Sequence, residues 1–243
     1  MTIEIQNIGS ALQKYPAAYN AARFAYLGAC IPQARARRPY QIRKYLRNAE
    51  DFTGLQIGAG THQLPGWLKT DLYPNWAAVY LDATKRFPFA DATFDYVVAE
   101  HIIEHISHES AQRMLQECHR VLKEGGVLRV STPNIELTHR LMHSPLTSEL
   151  QRYVSWSNHM YGGPDNLDSP IHVVNRLQHE WGHQFLYDEN TLTVSFRKAG
   201  FIQVDRCSPR KSVHWPLVNI DSHGEVIGEE FNELESLILE AIK

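Results

Sequence analysis

The sequence has little cysteine. Its 243 residues include three, Cys30, Cys118 and Cys207, and no two share a paired or metal-type spacing. That excludes a disulfide framework and a thiolate metal cluster, and it fits free, mostly buried thiols in a reducing compartment. Long apolar runs are also missing. None approaches the roughly 18 residues that span a bilayer, and the N-terminus lacks the basic-then-apolar layout of a secretory signal. A soluble, cytoplasmic protein with no transmembrane segment is expected. Neither sign of charge dominates. The 24 Lys and Arg against 27 Asp and Glu give a net charge of −3, so there is no basic surplus for a general nucleic-acid binder. Internal repeats and low-complexity tracts are absent. What remains is ordinary globular material, 43% apolar and 21% charged, long enough for one large α/β domain with an embedded cap.

Residues 1–50 read as a helical N-terminal extension. Six basic residues (Arg35, Arg37, Arg38, Arg43, Lys44, Arg47) stand there with no acid between them. They form either a solvated helix face or a surface for an anionic acceptor. From Gly54 the pattern alternates. Strands are expected at 55–57, 67–71, 79–81, 94–99 and 127–131. Residues 109–122 carry Ala111, Met114, Leu115, Cys118, Val121 and Leu122 at helical spacing, and Glu124-Gly125-Gly126 is expected to stop that helix. This rhythm predicts a Rossmann-like, doubly wound parallel sheet in a domain spanning 51–243. Residues 134–182, rich in His, Asn, Pro and Gly, interrupt the rhythm and read as a cap inserted after the fifth strand. Asp188 is then a plausible N-cap for a helix over 189–199 ended by Gly200. A strand follows over 201–207, and residues 234–242 read as a closing strand.

The chemistry is concentrated in Leu55-Gln56-Ile57-Gly58-Ala59-Gly60, followed by Asp71 and Asp82. An apolar strand that breaks into Gly-x-Gly lets backbone N–H groups approach a ligand, and an acid at the end of the next strand can accept from two ribose hydroxyls. The third glycine of a dinucleotide fingerprint is missing. Only ten residues separate Gly60 from Asp71, too few for the helix that receives a pyrophosphate. A cofactor with ribose and adenine but no phosphate fits this shortening.

Several segments, in order, resemble class I S-adenosylmethionine-dependent methyltransferases of the type 11 kind. They are Gly58-Ala59-Gly60, Leu64-Pro65-Gly66-Trp67 and Asp71-Leu72, then the run from Phe87 to Asp95, Glu104-His105-Ile106, Arg120 to Gly126, and the stretch from Phe185 to Ala199-Gly200-Phe201. The resemblance covers about residues 52–133 and 183–207. It implies S-adenosyl-L-methionine as cofactor. Gly58, Ala59 and Gly60 would lie against its amino-acid moiety and ribose, Asp71 would hold the ribose hydroxyls, and Leu72 would pack on the adenine. Asp82 and Ala83 would meet the adenine's exocyclic amine, and Glu100 and His101 would border the sulfonium. Gln56 stands where the family usually has an acid; it can accept from the cofactor's ammonium but brings no charge.

Methyl transfer to a hydroxyl needs alignment and a base. His101 is the preferred base, since histidine titrates near neutrality. Glu104 and His105 stand beside it, as further catalytic residues or as braces of the loop. In the cap, His159, His172, His179 and His183, with Asp165 and Asp168, could hold a divalent cation or line a polar pocket; no metal is predicted. Tyr153, Trp156, Tyr161 and Trp181 could stack on a sugar ring or form the cap's own core. A hydroxylated small molecule or saccharide is the expected acceptor, with no nucleic-acid partner and with the oligomeric state open, a homodimer included. Two rival readings stand. His179-Glu180-Trp181-Gly182-His183 matches the H-E-x-x-H pattern of zinc hydrolases, and a protein could bind the nucleoside without catalysis.

Overall fold

A computed structural model of the chain describes residues 16–73, 77–143, 145–162 and 169–243, with side chains from residue 28 onward. Asp165 and Asp168 lie outside the described residues, as does the part of the N-terminal extension before Pro16. Helix α1 (Pro16–Asn48) runs through Pro32 and Pro39. It buries Ala34 and Ile42 and leaves Arg35, Arg43, Lys44 and Arg47 exposed. The Arg35 guanidinium lies 5.6 Å from the centre of the Tyr80 ring. This basic face is mostly solvated.

The sheet is built from β1 (Gly54–Ile57), β2 (Leu68–Asp71), β3 (Val79–Tyr80), β4 (Phe94–Glu100), β5 (Leu122–Pro133), β6 (Gln203–Cys207) and β7 (Ser236–Ile242). Its order is β3-β2-β1-β4-β5-β7-β6. β1 is buried along its whole length, as expected of a parallel strand covered on both faces. The first five strands run parallel, and β7 is antiparallel to both neighbours. The closing strand therefore forms as expected, but the sheet is mixed.

Helix α2 (His108–Val121) starts at Ser107, whose hydroxyl accepts from the Ser110 N–H, and buries Ala111, Met114, Leu115, Cys118 and Val121. The chain turns extended at Leu122, so the helix stops before the glycines. The register shifts between Phe94 and Tyr96, opposite this stretch. Gly125 (φ +74°) sits within β5, where it takes up the irregularity rather than capping a helix.

Three helices follow β5: α3 (Ile135–Met142), α4 (Ser148–Tyr161) and α5 (Pro170–His179). They share a small core of their own, including Leu137, Leu141, Leu150, Tyr153, Val173 and Leu177. Helix α6 (Glu189–Ala199) begins at Asp188, whose carboxylate accepts from Thr191 N–H, and ends at a left-handed Gly200. Two short helices, α7 (His223–Ile227) and α8 (Glu229–Glu235), lead into β7. Among the described residues, no helix is long and apolar enough to cross a membrane.

Candidate active site

The site lies at the carboxyl ends of the parallel strands, where open α/β sheets bind ligands. β1 ends in a turn. Gly58 takes φ +68°, and a Cβ there would strike the Ile102 side chain at 2.1 Å, so the position requires glycine. The N–H of Ala59 donates to the Thr70 carbonyl (2.9 Å), and that of Gly60 to Asp71 Oδ2 (2.9 Å). Among the described residues, no helix begins between β1 and β2. The geometry therefore offers no helix N-terminus of the kind that binds a pyrophosphate.

Three cavities adjoin one another through shared lining residues. The first, about 630 Å³, is lined by Gly58, Asp71, Leu72, Asp82, Ala83 and His105, among others. Asp82 Oδ1 accepts from the N–H and hydroxyl of Thr84, and Asp71 Oδ1 from the N–H of Tyr73 (2.8 Å). Among the described residues lining this cavity are two carboxylates and no Lys or Arg. The second cavity, about 210 Å³, is lined by Gln56, Gly58, Ala59, Gly60, Glu100 and His101, with Ser222 and His223. The third, also about 210 Å³, is lined by His101, Glu104, His105, Tyr161, Trp181 and His183, with His223 and Glu235. Gly58 is shared by the first two, His101 by the last two, and His105 by the first and third.

Two expected roles look different in place. The sequence reading aims Gln56 at a cofactor ammonium. The structure spends its amide on the loop instead: Nε2 donates to the His62 carbonyl (2.7 Å) and Oε1 accepts from Leu64 N–H (3.0 Å). Gln56 therefore shapes the glycine turn from beneath. Glu100 is also committed. Its oxygens accept from the N–H groups of Ser222 and His223 and from the Ser222 hydroxyl, pinning the start of α7 against the end of β4.

His101 sits in the left-handed region, at φ +50°, where a bulky side chain is uncommon. Its partners hold the ring in place. Its Nδ1 lies 3.1 Å from Glu104 Oε1, and its ring lies tilted against that of His223, with centroids 4.0 Å apart. Burial pulls the imidazole down, yet the hydrogen bond and charge of Glu104, with Glu235 and Glu100 behind, leave it above the ordinary histidine value. Burial pushes Glu104 up, but the bond and charge of His101, with a backbone hydrogen bond and the charge of His105, together bring the carboxyl below its usual range. An ionised carboxylate only accepts, so His101 Nδ1 carries the proton and Nε2 is the basic atom. Glu104 Oε2 accepts from the Thr132 hydroxyl (3.0 Å). Glu235 repeats the arrangement. Burial raises its carboxyl, but His223 Nε2 (3.1 Å) and the Tyr153 hydroxyl (2.6 Å) hold it below its usual range.

The zinc-hydrolase motif does not form. α5 ends at His179, and the chain then turns through Trp181 (φ +57°) and Gly182 (φ +80°). His179 and His183 therefore do not share one face of a helix as H-E-x-x-H requires, and His179 and Glu180 point to solvent. His159 and His172 are exposed too. Of the four cap histidines, only His183 turns toward the site. Among the aromatics, Tyr153 belongs to the core shared by α3, α4 and α5, while Tyr161 and Trp181 line the third cavity.

Sequence reasoning missed Ser222, His223 and Glu235. Their segment carries no motif, and only the topology of β7 brings it under His101. It also missed Arg129, 1% exposed. This guanidinium donates to both Asp221 oxygens (2.9 and 2.6 Å) and to Glu240 (2.6 Å).

A family model for a methyltransferase domain matches residues 69–130. The chain is 47% identical over 49 residues to a probable S-adenosylmethionine-dependent methyltransferase of Mycolicibacterium smegmatis. That match covers 20% of this chain and 18% of the relative's length. Among solved structures, a SAM-dependent methyltransferase from Archaeoglobus fulgidus aligns over 93% of this chain and 99% of its own, at 17% identity and a TM-score of 0.45. Phosphoethanolamine N-methyltransferase 2 of Haemonchus contortus, in complex with S-adenosyl-L-methionine, aligns over 86% of this chain and 52% of its own, at 15% identity and a TM-score of 0.42. The matched segment runs from β2 into β5 and includes Asp71, Asp82, Glu100, His101 and Glu104. Residues 69–130 thus match a methyltransferase domain, and the chain is similar there to S-adenosylmethionine-dependent methyltransferases.

Proposed function

We propose that this protein transfers a methyl group from S-adenosyl-L-methionine to a hydroxyl of a small molecule or saccharide. One observation carries the cofactor reading: the 630 Å³ cavity presents Asp71 and Asp82 and, among the described residues, no Lys or Arg. Such a lining repels phosphate and suits an uncharged ribosyl adenine joined to a cationic centre. Bound there, the cofactor supplies an electrophilic methyl group on a sulfonium. Asp71 accepts from the ribose hydroxyls and Asp82, with Ala83, faces the adenine edge. Leu72, 42% exposed, packs on the ring. The turn Gly58-Ala59-Gly60 gives the backbone close approach, with Gln56 fixing its shape and Glu100 holding the wall opposite.

The acceptor occupies the third cavity. His101 takes the hydroxyl proton on Nε2, Glu104 keeps the ring in the required tautomer, and His105 borders the passage to the cofactor. Tyr161 and Trp181, with ring centroids 5.4 Å apart, offer an aromatic wall of the kind that stacks on a sugar face. The three unpaired thiols suit the cytoplasm. Labelled S-adenosylmethionine offered with a panel of hydroxylated compounds, saccharides and amines tests the reading. Label is expected in an alkali-stable ether of a hydroxylated compound. Label in amines alone would overturn the O-direction. Cofactor binding with no transfer to any compound would leave a non-catalytic binder in its place.

A further inference from the structure

The geometry points to a divalent-cation site formed by Glu104, His105 and His183, with zinc as the ion its ligands suit best. One ligand atom from each residue lies within 4.8 Å of the others. The three residues come from two segments stitched together by the backbone. The N–H groups of Gln184 and Phe185 both donate to the Glu104 carbonyl (2.7 and 3.3 Å), and the Gln184 side chain donates to the His105 carbonyl (2.7 Å).

Each ligand is prepared by what it touches. His183 Nδ1 lies 2.7 Å from the Leu177 carbonyl. A carbonyl only accepts, so that nitrogen carries the proton and Nε2 keeps its lone pair, the arrangement that orients metal-binding histidines. Glu104 is fully buried and fixed by His101 and Thr132. His105 Nε2 stands 3.9 Å from Glu104 Oε1. That is too long for a hydrogen bond, and it leaves a gap that an ion can close. Ligand atoms of a tetrahedral zinc lie about 3.3 Å apart for bonds near 2.0 Å, so closure needs a movement of about 1 Å. The His105 side chain, 39% exposed, has room for it.

Two imidazoles and one carboxylate match the donor set of catalytic zinc, where three protein ligands leave one position open. All three residues line the third cavity, which His101 shares. The cation would hold an acceptor hydroxyl beside that base. This task rests on the methyl-transfer reading, whereas binding of the ion does not. The site is separate from the H-E-x-x-H match, since it uses His183 without His179.

Metal-free protein titrated with Zn²⁺ against a chromophoric chelator, and with Co²⁺ followed by visible absorption, tests the proposal. One equivalent is expected to bind, with intense absorption from a low-coordinate Co²⁺. His105→Ala and His183→Ala are each expected to weaken binding on the order of 100-fold or more, while His179→Ala leaves it within about threefold. Absence of stoichiometric binding would overturn the site, as would binding that survives both ligand variants or is lost with His179→Ala alone. Binding of S-adenosylhomocysteine, measured separately by calorimetry, keeps failure of the metal site distinct from failure of the cofactor reading.

Discussion

Replacing Arg129 with methionine lowers the stability of the fold by about 3–5 kcal/mol, the usual result of removing one partner from a buried ion pair. The guanidinium satisfies two carboxylates that are themselves almost fully buried, Asp221 at 4% and Glu240 at 3% exposure. It also donates to the Lys211 and Ser208 carbonyls. Methionine fills similar volume but leaves two negative charges facing each other in a low-dielectric interior. For a chain of this length the melting temperature falls by roughly 10 °C. Adding Asp221→Asn and Glu240→Gln to Arg129→Met removes those charges, and the melting temperature is expected to recover in part. A single variant that melts within about 2 °C of wild type would contradict the account. The consequence reaches the site, because Arg129 ties β5 and β7 to the loop that ends in Ser222 and His223. Both residues donate to Glu100, and the His223 ring lies against His101.

Replacing His101 with asparagine lowers kcat by roughly 10²–10⁴, the range for loss of a positioned general base. Asparagine is the suitable replacement because it tolerates a left-handed backbone, so φ +50° is retained while the basic nitrogen goes. Affinity for S-adenosylhomocysteine should stay within about threefold of wild type, since His101 does not line the 630 Å³ cavity. Steady-state kinetics on an acceptor found in the labelling panel, paired with calorimetry, separates the two effects. An unchanged kcat would remove His101 from the mechanism. An equal loss of cofactor affinity would make it a structural residue.

The parts of this fold that repeat a local rule were readable in the sequence. β1 and β4 are apolar runs, α2 keeps its helical spacing, and α6 has an acidic N-cap and a glycine at its end. The glycine turn and Asp71 were legible because a sharp turn and a strand-end acid are local signals. Long-range pairing was not. The antiparallel placement of β7, and with it the approach of His223 and Glu235 to His101, depends on contacts across more than a hundred residues. The Glu124-Gly125-Gly126 signal was misread because strand pairing with Phe94 begins at Leu122 and overrides the local stop. The H-E-x-x-H match stood only as a rival reading, and it fails because that pattern carries metal chemistry only on a helix, which the chain leaves at His179. Nothing in the spacing of Glu104, His105 and His183 joins them; backbone hydrogen bonds from Gln184 and Phe185 do.

In the proposed function, the turn after β1 and the carboxylate of Asp71 build a site for an S-adenosyl nucleoside. Titration calorimetry of S-adenosylhomocysteine into the wild-type chain and an Asp71→Ala variant tests it most directly. Losing the charged acceptor for the ribose hydroxyls costs about 1.5–3 kcal/mol. One-to-one binding to wild type is therefore expected, with an affinity roughly 10- to 150-fold weaker in the variant. No heat of binding to the wild-type protein, or equal affinity in both, would contradict it.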